Sequence, residues 1–200
     1  MAKKESSFIN MVLTLFIVTS ISALALGGVY NLTKGPIALA KKAKLENAIS
    51  NVVPEFDTLV EFKIMPAKGK DSLTFYRAFY KDSLVGTAIK TYTNIGFGGL
   101  ISIMAGFSPD GKIINTAVLE HKETPGLGDK MDIKKSTWSE QFRNKNPEDF
   151  DLYVTKDGGK VDAITAATIS SRAFCDAMNR AYKAYKMNYP AAEQRGIAKE

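Results

Sequence analysis

The first long pattern in the chain is an absence of charge. From Phe8 to Tyr30 the sequence reads FINMVLTLFIVTSISALALGGVY, 23 residues without a charged side chain. At about 1.5 Å per residue such a run extends roughly 34 Å as a helix, against a hydrocarbon core of about 30 Å, so it is long enough to span a membrane. The competing reading is a cleaved signal peptide, since Lys3 and Lys4 precede the run and Ala23-Leu24-Ala25 has small-x-small spacing. The run continues past that site to Tyr30, beyond a signal core of about 7–15 residues, and this favours a retained anchor.

A different periodicity follows. Gly35-Pro36 precedes IALAKKAKLENAISNVV, with apolar residues at Ile37, Ala40, Leu45, Ala48, Ile49 and Val52, and the spacing predicts a helix over 36–53 opened by Pro36. After Pro54 the pattern changes to alternation. Thr74–Tyr80, Leu84–Tyr92, Leu100–Phe107 and Ile113–His121 read as strands, with Ser108-Pro109-Asp110-Gly111 as the turn between the last two, an antiparallel arrangement. A short helix is expected at 136–143, strands at 152–155 and 160–164 around the turn Asp157-Gly158-Gly159, and a final helix over 171–187. In that helix Phe174, Met178, Ala181, Tyr182 and Tyr185 share one face, and Ser170 or Ser171 is placed to cap its start. The expected organisation is a flank (1–7), a transmembrane anchor (8–30), a connecting helix (31–53), one mixed α+β domain with antiparallel strands (54–190) and a mobile tail (191–200).

Composition narrows the chemistry. Of 200 residues 45% are hydrophobic and 24% charged, which describes a folded chain. One histidine and one cysteine exclude a zinc site of several His/Cys ligands, a self-contained iron–sulfur cluster and an intrachain disulfide. The net charge of +6 is unevenly spread: residues 1–30 carry +1, residues 31–50 carry +3, and only +2 remains for residues 51–200. The main domain lacks the basic stripe of a nucleic-acid binder. Two lysines before the apolar run and four after it favour, by the positive-inside rule, a cytoplasmic main domain.

Two constellations can carry function. The stretch from Val161 to Ser171, VDAITAATISS, ends a strand and opens the last helix with four hydroxyls and several small residues. A helix N-terminus offers unpaired N–H groups and the positive end of a dipole, so it suits an anion such as phosphate; the same Ser and Thr residues also suit a helix cap that binds nothing. The second constellation pairs Asn94-Ile95-Gly96-Phe97-Gly98-Gly99-Leu100 with Glu120-His121-Lys122-Glu123-Thr124-Pro125-Gly126-Leu127-Gly128-Asp129. His121 is open to an acid–base role or a structural hydrogen bond. Gly126 and Gly128 supply either turn conformations or room for a planar ligand.

Together these residues resemble the G-subunit family of the bacterial Rnf electron-transport complex, a flavin-binding family shared with the C subunit of the sodium-pumping NADH:quinone reductase. The resemblance covers nearly the whole chain and rests on the anchor, Gly96–Gly99, His121–Gly128, and Asp162-Ala163-Ile164-Thr165-Ala166-Ala167-Thr168. The family's last motif usually reads Asp-x-x-Ser/Thr-Gly-Ala-Thr, and its final threonine carries FMN through a phosphoester. The resemblance therefore implies covalent FMN on Thr168, with Ala166 standing where the family has glycine. It further implies a separate magnesium-dependent transferase that uses FAD and recognises Asp162 and Thr165, and partner subunits of a membrane complex. By the same resemblance the flavin domain lies on the extracytoplasmic side, against the weak charge argument. Thr165, Ala166, Ala167, Glu123, Thr124, Leu127 and Gly128 are then expected around the cofactor, with Leu127 against the ring and Thr124 hydrogen-bonded to it. The expected function is electron relay in an ion-translocating ferredoxin:NAD+ oxidoreductase of the inner membrane. The alternatives are the sodium-pump C subunit, a membrane-anchored interaction domain without flavin, and a flavoprotein reductase released by signal cleavage.

Overall fold

The computed structural model describes residues 7–66 and 71–189; the tail expected at 191–200 and most of the flank expected at 1–7 lie outside them. Anchor and connecting segment, which the sequence presents as two elements, form one α-helix, α1 (Phe8–Val52), with Pro36 inside it rather than at its start. A proline inside a helix removes one backbone hydrogen bond, and the helix continues on both sides of Pro36. Residues 1–44 and residues 45–200 are two separate units. In the first, α1 is long and apolar enough to cross a membrane by length and composition.

The second unit is built on a five-stranded antiparallel sheet whose strands neighbour one another in chain order. They are β1 (Thr58–Ile64), β2 (Leu73–Tyr80), β3 (Ser83–Gly96), β4 (Gly99–Phe107) and β5 (Ile113–Glu120). Alternation assigns their side chains to two buried faces. Leu73, Phe75, Ile89, Ile101, Ile103, Ala105 and Phe107 face the helix α2 (Thr168–Asn188), whose Phe174, Ala177, Met178, Ala181 and Tyr185 complete the main core. Tyr76, Ala78, Ala88 and Met104 point the other way and pack on Ala48, Ile49, Val52 and Val53 at the end of α1. A sheet covered on both faces by helices, α+β in class, matches the expected fold.

Four local expectations are corrected. β1 has no counterpart among the strands that alternation predicts; it pairs with β2 along its whole length from Thr58↔Phe79 to Ile64↔Leu73. The strands expected at 152–155 and 160–164 reduce to a single parallel bridge, Val154↔Val161, and the helix expected at 136–143 is a 3-10 turn at Trp138–Phe142. The last helix starts at Thr168, with Ala167 in the capping position and no side-chain cap, so neither Ser170 nor Ser171 caps it.

Candidate functional site

The loop from Asp162 to Ala167 is positioned from both sides. Trp138 donates its indole N–H to the Asp162 carbonyl at 2.6 Å, and the Gln141 side chain accepts from the Asp162 N–H at 2.8 Å. Ser171 holds the loop from within α2: its hydroxyl oxygen accepts from the Ile164 N–H at 2.9 Å and donates to the Ala167 carbonyl at 3.0 Å. The chain then turns through Ala166 at φ 61°, in the left-handed region, to enter the helix. Arg172 in the first turns of α2 forms a two-pronged ion pair with Asp157, both contacts 2.7 Å, and hydrogen bonding from that guanidinium holds the Asp157 carboxyl below its ordinary range.

This entry into α2 borders a cavity of about 320 Å3, within the usual range of about 300–1,000 Å3 for ligand sites. Three segments wall it. The β3–β4 turn supplies Phe97, the segment after β5 supplies Glu123, Thr124, Leu127 and Gly128, and the start of α2 supplies Ala166 through Ser170. Its rim is apolar and open, with Phe97 70%, Ile169 49% and Leu127 38% exposed. Its inner wall is polar: Glu123 and Ser170 are buried and hydrogen-bonded to each other.

Of the residues expected around a cofactor, Thr168, Ala166, Ala167, Glu123, Thr124, Leu127 and Gly128 therefore come together on one cavity. Thr165 and Asp162 do not line it; both are exposed on the loop that precedes it. The structure adds Phe97, Ile169 and Ser170 to these walls; Phe97 sits in the Gly96–Gly99 segment that the sequence marks, while Ser170 reads from the sequence only as a cap. His121 takes a structural role here, its Nδ1 accepting the Glu123 backbone N–H at 3.2 Å. Among the described residues no cluster of His, Cys, Asp and Glu is placed to hold a metal. A further cavity of about 360 Å3 runs along the later turns of α2 past Arg180 and Lys183, and contains none of the expected residues.

The site's shape fits a phosphorylated planar cofactor. Thr168 presents a half-buried hydroxyl at a helix N-terminus whose first N–H groups lack a side-chain cap, the place where a phosphate is best received. Ala166 and Ala167 line the cavity with small side chains, and Phe97, Leu127 and Ile169 offer apolar surface for a ring.

The FMN-binding domain family matches residues 96–183, a span that contains every wall of the cavity. The G subunit of the ion-translocating oxidoreductase complex of Aliivibrio fischeri strain ES114 is 35% identical over 188 residues, covering 88% of this chain and 89% of its own. The protein of the same name from Vibrio atlanticus is 31% identical over 192 residues, 91% of each chain, and that from Erwinia tasmaniensis is 42% identical over 108 residues, 52% of this chain and 51% of its own.

Proposed function

The chain belongs to the G-subunit family of ion-translocating oxidoreductase complexes, and from that premise we propose that it is the membrane-anchored electron carrier of such a complex, with FMN joined by a phosphoester to Thr168. The observation that carries the reading is the Thr168 hydroxyl at the uncapped start of α2, on the wall of a cavity with an apolar rim. Near end-to-end coverage of the G-subunit relatives supports this assignment over the C subunit of the sodium-pumping reductase.

When bound, the flavin supplies one- and two-electron exchange. The protein's own task is to retain and orient it. The helix N-terminus stabilises the phosphate charge, an effect of about 0.3–1 kcal/mol that grows with partial burial. Leu127, Ile169 and Phe97 give apolar contact, Thr124 a hydroxyl within the same wall, and Gly128 leaves room for the Glu123 and Ser170 side chains behind it. A tether at Thr168 keeps the cofactor in a site that is open to solvent. Attachment requires a separate transferase: the threonine oxygen forms a bond to the FMN phosphorus, the pyrophosphate bond of FAD breaks, and AMP leaves. Asp162 and Thr165, exposed on the preceding loop, are accessible to that enzyme. In this reading α1 anchors the chain in the inner membrane lipid, the flavin domain faces the extracytoplasmic side, and neighbouring subunits donate and accept the electrons.

Peptide and intact mass on protein co-expressed with a flavin transferase test the proposal. The expected result is an adduct of FMN less one water on the peptide containing Thr168, lost in Thr168→Ala and reduced in Thr165→Ala. An adduct that survives Thr168→Ala, or an unmodified chain beside a modified control substrate, overturns it.

A further inference from the structure

Glu123 is only 5% exposed although it borders an open cavity. Glycine backbones from two loops, rather than apolar side chains, make room for it. A Cβ on Gly96 would stand 2.7 Å from Glu123 Oε1, and one on Gly128 2.7 Å from Oε2 and 2.5 Å from the Ser170 Oγ. A Cβ on Gly98 would meet the Lys122 carbonyl oxygen at 2.0 Å. Each distance is shorter than packed atoms tolerate, so substitution at any of the three displaces the carboxylate or the loop that carries it.

Inside this space each carboxylate oxygen has its own donor. Oε1 accepts from the Gly98 N–H at 2.8 Å and Oε2 accepts from the Ser170 hydroxyl, while the Glu123 backbone N–H is turned onto His121 Nδ1. A buried polar group that loses its hydrogen bonds costs more than the bonds were worth. One side chain therefore cross-links the β3–β4 turn that carries Phe97 and the first turn of α2 that carries Thr168 and Ile169. It does so from the loop that carries Thr124 and Leu127. Those are the three walls of the cavity.

We propose that Glu123 is a positioning residue: its cross-link fixes the spacing between Phe97, Leu127 and Ile169, and so clamps the flavin ring that Thr168 tethers. The inference rests on the reading of the site as a flavin site and adds a division of labour to it. Thr168 sets whether the cofactor is retained, and Glu123 sets how rigidly its ring is held, acting through the walls.

The test uses the full-length chain, flavinylated by co-expression, with Glu123→Ala, Glu123→Gln and Ser170→Ala beside the wild type. Flavin fluorescence anisotropy and quenching by iodide are read on the flavin-bearing fraction, so the yield of attachment does not enter, and Trp138 fluorescence checks that each variant is folded. In Glu123→Ala the anisotropy is expected to fall toward that of free FMN and iodide quenching to rise several-fold. Glu123→Gln, which still accepts from Gly98 and reaches Ser170, is expected to restore wild-type values, and Ser170→Ala to fall between. Should Glu123→Ala unfold or carry no flavin, Ser170→Ala alone decides, since it deletes one of the two bonds and leaves the other. A folded variant whose flavin is as rigid and shielded as wild type overturns the clamp, and so does a glutamine that fails to rescue. A wild-type chain with no adduct overturns the flavin reading instead, a separate and recognisable outcome.

Discussion

Replacing Ala166 by glycine is expected to stabilise the protein. Ala166 sits at φ 61° on the loop into α2. There the Cβ crowds the following carbonyl oxygen, at about 1–2 kcal/mol for an L-residue. Glycine removes that crowding but gives the unfolded chain more freedom, which opposes it by about 0.4–1 kcal/mol. Ala166 is exposed, so the lost methyl group forfeits little packing. The balance is a gain of about 0–1.6 kcal/mol, or a Tm rise of up to about 6 °C for a domain of this size. The assay is thermal unfolding of the full-length chain in detergent, followed through Trp138, the single tryptophan. Its ring packs edge-on against Phe142 and Phe174 at centroid distances of 5.5 and 5.2 Å, and it also holds the loop through the Asp162 carbonyl. Ala166→Val is the opposite perturbation, because a β-branched side chain is worse still at positive φ, and its Tm is expected to fall. A fall in Tm for Ala166→Gly, or no loss for Ala166→Val, refutes the argument that conformation dominates this position. If Thr168 carries the flavin as proposed, and if the glycine of the motif that this loop resembles serves its backbone angle, Ala166→Gly is also expected to accelerate attachment, measured by mass against time.

Two further predictions concern the packed core. Gly106→Ala places a Cβ 1.7 Å from the Val52 carbonyl oxygen, backbone that cannot swing aside, and is expected to lower the urea midpoint by the equivalent of about 1–3 kcal/mol or more, whereas Gly86→Ala, whose nearest neighbours are side-chain tips at 3.2–3.3 Å, costs distinctly less; equal losses in both would refute the backbone-clash reasoning. Burial pushes the Cys175 thiol up to about 12 from an ordinary 9.0. The folded state thus favours the protonated thiol, and this contribution to stability is whole below pH 9 and lost as pH rises from 9 through about 12. Iodoacetamide at pH 8.5 is expected to label Cys175 only after denaturation, and rapid labelling of the native chain would contradict the burial.

The parts of this fold that the sequence announces are those whose pattern is local. Strands β2 to β5 alternate between two buried faces, so their period shows in Leu73, Phe75, Ile89, Ile101, Ile103 and Phe107, and α2 repeats its core residues at helical spacing. β1 stays hidden for the opposite reason. It is an edge strand with most of its residues exposed, its charges at Glu61 and Lys63 break the apolar run, and its existence depends on pairing with β2. The pieces near Val154 and Val161 read as strands because short apolar runs look alike. The chain between them folds so tightly that a Cβ on Gly159 would meet the Tyr153 carbonyl oxygen at 2.0 Å, and only one bridge forms.

The same division holds for the site. The three segments that wall the cavity each carry a visible signature, glycines at 96–99, Glu123 to Gly128, and the hydroxyl-rich approach to Thr168. What their spacing does not disclose is how they are joined. A serine at the start of a helix has two uses: it can cap its own helix, or it can cross-link to another segment, and the choice depends on chain far away in sequence. Ser171 reaches back to Ile164, seven residues earlier, and Ser170 reaches Glu123, 47 residues earlier. Both are thereby taken from capping, and α2 begins three residues sooner than a serine cap at Ser170 would allow. That earlier start makes Thr168 the first residue of the helix, with the uncapped N–H groups beside it. The misread cap and the half-buried threonine at the helix start are therefore two consequences of one event, the recruitment of the serines into cross-links. If so, Ser171→Ala should release the loop, and the helix start with it: amide exchange at residues 164–171 is expected to accelerate while the middle of α2, held by Phe174 and Met178 in the core, keeps its protection. Unchanged exchange at Ile164 would show that the loop is held by the Trp138 and Gln141 contacts alone.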